Sequence, residues 1–478
     1  MPIYIIPDVY TERIPPTGAP AALVGRGTIA LVGKFPKGPK NTLVRAGNWE
    51  QFYPEFGGLV IGSAAYDAYM ALKNLAAALY IVRVEGTHAT VMIVDRQTPT
   101  PANKLKLTAL VDGEFANYAA GPPKVGIEAI IADGTITNTF KLTLNYYYVK
   151  RDVQQTYTET FDNLSLDPEA TRYFPTIINA SSFLVSAEDL APANKTPPGH
   201  LPATGTYPLA GGVEPDYTGT SSPEGVDIFE KEDDINIVIA DKPGSVIRTL
   251  LIDHCQKMKD RIAVLSPEQY LDVDEVCAIG DALDVERSTL PYPWFEIYDP
   301  VMGKTRDVCS AAGVAGVIAR IDPNLSACNH QVYGVLDLER ILSRADLETL
   351  ITSKISPIYW WGTRGIRLRE NQTLSSDPNR KEVFRIRMED FIAETLEDNL
   401  GWANSQPITE DFCKAVLGVG QVTLRDMQLS QMIEDFYVKR EEATPRKFIV
   451  RYGVKLYDIA KWIINRIEVG PDVVITRT

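Results

Sequence analysis

YPWFEIYDP (Tyr292–Pro300), AGVIARID (Ala315–Asp322) and YWWGTRGIRLR (Tyr359–Arg369) follow one another within 78 residues, and their reading decides the fold. The first predicts a strand over Trp294–Asp299. The second sits in a small-residue run that predicts a short helix over Gly313–Arg320, and the third is an aromatic strand leading into a glycine turn with three arginines. In the strand reading Tyr359, Trp360 and Trp361 alternate faces, which suits core packing plus a contact between subunits better than a ligand platform. No nucleophile, base or metal cluster lies among the three strings.

Outward from this stretch the pattern is α/β. Ile235–Ala240 and Arg261–Leu265 are continuous apolar runs expected of buried parallel strands. Ser245 is placed to cap a helix to about Met258, and a second helix is expected from Pro267 to about Ala282. Asp337 to about Ser343 reads as a short helix and Val383–Arg387 as a strand. Met388–Leu400 carries Met388, Phe391, Ile392, Leu396 and Leu400 at helical spacing, with Gly401 to stop it. Towards the N-terminus, TIALVG (Thr28–Gly33), a helix begun at Ser63 and a strand Leu79–Val84 make a βαβ unit.

Between about His88 and Pro208 the composition turns to threonine, tyrosine and valine. KLKLTALV (Lys104–Val111) alternates, and in FKLTLNYYYV Phe140, Leu142, Leu144, Tyr146 and Tyr148 share one face, so an inserted β-rich domain is expected. FIVRYGVKLY (Phe448–Tyr457) alternates too. The resulting division is an N-terminal arm 1–22, a first core segment 23–87, the insertion 88–208, a second core segment 209–469 and a C-terminal arm 470–478. The arms follow from Pro2, Pro7, Pro15, Pro16 and Pro20 at one end and Gly470-Pro471 at the other, each next to a β-type run: Ile3, Tyr4, Ile5 and Ile6, and Val473, Val474 and Ile475.

Composition excludes several functions. A net charge of −14 leaves no basic footprint for nucleic acid as the main partner. Five cysteines without CxxC spacing favour neither a disulfide framework nor a zinc site, and His88, His200, His254 and His330 are scattered. Gly33-Lys34 is followed by Phe35 rather than the hydroxyl residue of a phosphate loop, and no GxSxG elbow occurs. The DKPGS turn reads as a βα connection, and the acidic stretch Glu224–Asp234 as a solvated loop whose spacing fits no calcium motif. The opening MPIYIIPDVYTERIPP lacks a basic region followed by a long apolar stretch, so no secretory signal is expected, and no apolar run reaches membrane length. The residues thus point away from an enzyme, with no cofactor or metal expected.

The ordered strings, together with Phe56-Gly57-Gly58, the YIVRV strand from Tyr80 to Val84 and Leu209-Ala210-Gly211-Gly212, resemble the conserved core of contractile phage tail sheath proteins. The resemblance departs at Pro7-Asp8-Val9-Tyr10, where the family has PGVY. It departs again at Cys309-Ser310, in place of prolines, and at Trp402-Ala403-Asn404-Ser405, in place of an acidic FEPN-like segment. It implies a mixed α/β sheath-type core with flanking helices, an inserted β-rich domain and extended terminal arms.

The resemblance also implies a structural subunit that polymerises with itself as stacked hexameric rings around a tail tube protein. Baseplate and tail terminator proteins would be further partners, with no membrane insertion, and the product would be a virion tail assembled in the host cytoplasm. The arm residues Ile3–Ile6 and Val473–Ile475 would pair with neighbouring subunits by β-augmentation. Residues 439–478 hold nine basic and five acidic side chains, from which Lys439, Arg440, Arg446 and Lys447 are selected as tube-facing. A different self-assembling shell protein and an α/β enzyme with a β-domain insertion remain the alternatives.

Overall fold

The computed structural model describes residues 27–217, 225–444 and 447–461. They fall into two compact units, one of Gly25–Pro323 with Ala327–Asp390 and one that takes Asn324–Ser326 and the chain from Phe391. The arm residues Ile3, Tyr4, Ile5, Ile6, Val473, Val474 and Ile475, and Arg446, lie outside the described residues.

The larger unit is built on a six-stranded sheet. Its order is Ser288–Thr289, Ile262–Val264, Ile237–Ala240, Thr28–Gly33, Ala78–Arg83 and Leu43–Ala46, parallel throughout except for the last pair. Alternate residues enter two different cores. Ile29, Leu31, Leu79, Ile81, Ile237 and Ile239 face one, and Ala30, Val32, Tyr80, Val82, Val238 and Ala240 face the other. A sheet covered on both faces explains why these strands read as unbroken apolar runs.

Ser310–Arg320 is the most buried helix of the first face, with every residue but Arg320 inside. Its glycines allow a close approach to the Ala65–Lys73 helix: a Cβ on Gly316 would lie 2.7 Å from the carbonyl oxygen of Ala71. That contact gives AGVIAR its small-residue character. The expected β-rich region contains the sheets Thr90–Val94/Asn103–Ala109/Val185–Asp189 and Gly205–Pro208/Gly126–Asp133/Phe140–Lys150/Val153–Leu164. Both contribute to one core, with Phe140, Leu142 and Leu144 buried and Tyr146 and Tyr148 at its margin.

Several local expectations are corrected. Asp337–Leu338 is a strand paired with Phe295–Glu296, and the helix begins at Arg344, where Ser343 and Asp346 form a capping box. Val383–Arg387 belongs to the helix Val383–Leu400; Val383 and Ile386, three apart, are buried together with Ile262. The second helix expected in this region starts at Val273, not Pro267, under an Asp272–Glu275 capping box. Ser245 makes no cap, because Gly244 occupies that position with no side-chain bond.

The acidic stretch is not merely solvated. Gly225–Lys231 forms a 3-10 turn that buries Val226, Ile228 and Phe229, and the fully buried Arg261 donates to the carbonyl oxygens of Phe229 and Glu232 at 3.0 and 3.1 Å. In the aromatic run Trp360 is 42% exposed, while its neighbours Tyr359 and Trp361 are half-buried.

Candidate assembly surfaces

In the smaller unit, the helix Glu410–Leu429, capped by Thr409, lies against a two-stranded antiparallel ribbon of Asp435–Thr444 and Lys447–Lys455. Gly420 is the contact point. A Cβ there would sit 2.5 Å from Cε1 of Tyr452, so only hydrogen lets the helix come this near. Phe412 and Phe448 meet edge to face with centroids 6.3 Å apart, and Trp402 extends the stack at 6.0 Å.

Cross-strand register sorts the ribbon's side chains onto two faces. Phe436/Val454, Val438/Tyr452 and Arg440/Val450 share the face that carries Tyr452 to the helix. Asp435/Lys455, Tyr437/Gly453 and Lys439/Arg451 share the other. Lys439 and Arg440, selected together from sequence, therefore point in opposite directions. Arg440 is bound to Glu410 by two 3.0 Å contacts, and this hydrogen bond raises its pKa. Lys439 is exposed on the outer face, directly across from Arg451, which reaches Glu441 at 2.9 Å; Lys455 pairs with Glu434 at 2.6 Å. Lys447 opens the second strand and is exposed.

The basic count over 439–478 includes Arg451 and Lys455, but the four residues selected from sequence omit them. Their placement four residues apart on one face of the strand, with Arg451 across from Lys439 and Lys455 across from Asp435, is the signal that finds them. Among the described residues the ribbon has no third strand, so the outer edge of each strand carries main-chain donors and acceptors without a sheet partner.

A second polar site lies in the larger unit, where strand order reverses between Thr28–Gly33 and Ile237–Ala240. Ligands of open α/β sheets bind in such crevices, outside the carboxyl ends of the strands. Here a cavity of about 200 Å³ is lined by Lys34, Asp67, Glu214, Asp241, Lys242 and Arg306 among others. Its groups chiefly answer one another. Lys34 Nζ meets Glu214 at 3.0 Å, while Asp241 accepts from the Lys34 N–H at 3.0 Å and the Tyr217 hydroxyl at 2.6 Å. Burial works against the Lys34 ammonium, but Asp241 and Glu214 outweigh it and hold its pKa above the ordinary lysine value. Burial, reinforced by Asp241, pushes the Asp67 carboxyl well above the usual carboxylate range. The network ties the ends of two strands to the 214–217 segment. Among the described residues no three metal-ligating side chains converge, and no helix is long and apolar enough to cross a membrane.

No family model and no curated protein matches this chain. Solved structures do. The sheath tail protein from Desulfitobacterium hafniense aligns over 94% of this chain and 100% of its own, with a TM-score of 0.53 and 14% identity. The helical sheath of the anti-feeding prophage in its contracted state aligns over 98% and 99%, at TM-score 0.55 and 12% identity. The contracted sheath complex of the extracellular contractile injection system PVC gives 98% and 98%, at TM-score 0.56 and 12% identity. End-to-end alignment at such low identity means that the succession of elements is shared while the side chains are not. The chain has the fold of the contractile tail sheath proteins.

Proposed function

We propose that this chain is the structural subunit of a contractile tail sheath, which polymerises as stacked hexameric rings around an inner tail tube and shortens to drive the tube through a cell envelope. The single observation that carries this reading is the full-length likeness to two sheaths solved in the contracted state. The open ribbon supports it. Two unpaired edges offer a place for Ile3–Ile6 and Val473–Ile475 of neighbouring copies to add strands, and alternate side chains would set the register.

We assign the tube contact to Lys439, Arg440, Arg446 and Lys447, with Arg451 and Lys455 beside Lys439 on the outer face of the ribbon. A contact of this kind is electrostatic and salt-sensitive. In this reading the protein is no enzyme and uses no cofactor. Baseplate and tail terminator proteins are its other partners, it resides in a virion or particle tail, and residues 88–208 form a module inserted into the core.

Negative-stain microscopy of the purified chain tests the proposal. Hollow tubes or stacked rings are expected, and deletion of 1–14 or 471–478 should leave folded subunits that do not polymerise. A chain that stays monomeric at high concentration, or truncations that build sheaths of normal length, would refute it.

A further inference from the structure

The hairpin that ends Ser356–Trp360 and begins Ile366–Leu368 carries an unusual surface. Trp361 lies between two guanidinium groups, Arg364 at 5.0 Å and Arg369 at 5.3 Å from the ring centroid. Arg367 is fixed beside them, its Nε donating to the Arg364 carbonyl oxygen at 2.9 Å and its Nη1 to that of Asn329. Trp360 stands exposed at the end of its strand. Residues 359–369 contain three arginines and no acid, and among the described residues none of the three meets a carboxylate. An exposed tryptophan, Trp360, next to a half-buried one, Trp361, that carries two arginines over its ring has the composition of an interface anchor.

The same unit presents the opposite charge elsewhere. From Ile262 to Glu286 there are seven acidic residues and no basic one. Asp272, Asp274, Glu275, Asp281 and Asp284 are exposed on and beside the helix Val273–Ala282, and none makes an ion pair with a lysine or arginine among the described residues. Asp272 and Glu275 are held in place by their capping box, with bonds of 2.8 Å. This helix cannot serve the arginines of its own hairpin. It touches the start of the Ser356–Trp360 strand, where Gly280 packs on Ser353 and Ile355, whereas the tryptophans sit at the other end, about 16 Å further along the strand.

We propose that the Trp360–Arg369 tip of one copy docks on the acidic Val273–Ala282 helix of another. The contact is heterologous, since two different patches of identical molecules meet, and such contacts propagate into rings or helical polymers instead of closing as a dimer. This rests on the self-assembly proposed for the sheath and names a side-chain contact within it. Nucleic acid is the other partner that arginine and tryptophan suit, and it enters as an outcome of the test.

The experiment is a charge exchange in the full chain, read as the critical concentration for polymer. R364E/R369E and D274K/E275K should each raise it about tenfold, and the four substitutions together should restore it to within about threefold of wild type. Mixing the two double variants should also give co-polymers, because one copy then supplies an acidic tip and the other a basic helix. Circular dichroism and the melting temperature establish that each variant folds; should R364E/R369E fail to, R364Q and R369Q taken singly carry the same reading at smaller effect. Unchanged polymerisation of R364E/R369E, or a quadruple variant no better than the doubles, overturns the proposal. So does a tip whose charge reversal abolishes binding of a single-stranded oligonucleotide and leaves polymer intact. If the wild-type chain forms no tubes, the exchange is read in weak self-association by sedimentation velocity. Absence of tubes then counts against the sheath function, and failure of the exchange against this contact.

Discussion

Gly418 and Gly420 stand in the same helix, two residues apart, and should respond to alanine with opposite signs. A glycine in a helix interior costs about 1 kcal/mol relative to alanine, through backbone entropy, and a new methyl in open space removes that cost. Nothing lies within 4 Å of a Cβ built on Gly418, so G418A should stabilise the smaller unit by about 1 kcal/mol. At Gly420 the methyl would meet Tyr452 at 2.5 Å from Cε1, 3.0 Å from the hydroxyl oxygen and 3.2 Å from Cζ. Forcing the ring aside is overpacking, worth about 1–3 kcal/mol, which cancels or exceeds the propensity gain. The net loss for G420A is about 0–2 kcal/mol, and in a Y452A background the same substitution should become stabilising by about 1 kcal/mol. Hydrogen exchange of the amides in 447–455 and 410–429 reads both signs as changes in local opening. Faster exchange in G420A and slower exchange in G418A is the expected pair. If both alanines slow exchange equally, Tyr452 does not hold the ribbon to the helix at Gly420, and the geometry assigned to the assembly surface is wrong.

The Tyr452 hydroxyl itself is buried with no hydrogen-bond partner among the described residues, so Y452F should leave ribbon protection unchanged or raise it by up to about 1 kcal/mol. Lys104 is fully buried and donates to Asp189 at 2.9 Å and to the carbonyl oxygens of Ala191 and Asn194 at 2.8 and 3.0 Å. K104M would strand a buried carboxylate, at a cost of about 3–5 kcal/mol, and should speed proteolytic nicking of the 191–204 segment at least about a hundredfold. His254 accepts from Arg261 at 3.4 Å, and burial, with Arg261 behind it, lowers its pKa to about 4. The unfolded chain therefore binds this proton first: the stabilisation is full above about pH 6.5 and is lost as pH falls towards 4, by about 3 kcal/mol. Urea unfolding at pH 7 and pH 4 should show that difference between wild type and H254Q, which cannot take up the proton. Equal pH dependence in the two would reject the assignment.

How much of the molecule is legible in the sequence depends on which period the core imposes. The strands of the central sheet read correctly because both faces are buried and every position wants an apolar side chain, as in Thr28–Gly33 and Ile237–Ala240. The 140–148 run reads correctly for the opposite reason, since one buried face forces alternation. The failures lie where a neighbour decides. DLERILS has helical composition, but its first two residues pair with Phe295–Glu296, and the capping box at Ser343 starts the helix only afterwards. VFRIR satisfies a strand pattern and a helix pattern at once, and burial of Val383 and Ile386 three residues apart selects the helix. At the assembly surface, net basicity over 439–478 is visible, whereas the division of Lys439 from Arg440 requires the register of the partner strand. The isolation of the Trp361 arginines is invisible, because composition cannot say which acids lie near them.

The two kinds of contact proposed for the sheath differ in strength in a way that suits a polymer able to rearrange. A strand added along the ten-residue edge Asp435–Thr444 makes about five main-chain hydrogen bonds, each worth about 0.5–1.5 kcal/mol net, and their joint breaking is cooperative. Exposed charge pairs contribute about 0.2–1 kcal/mol each, are screened by salt and tolerate a change of geometry. A lattice joined by both releases its tip-to-helix contacts first and keeps its ribbons paired. The compact bodies can then change neighbours while the strand links hold the polymer together, so backbone pairing carries continuity and the charged surfaces carry the choice between packings.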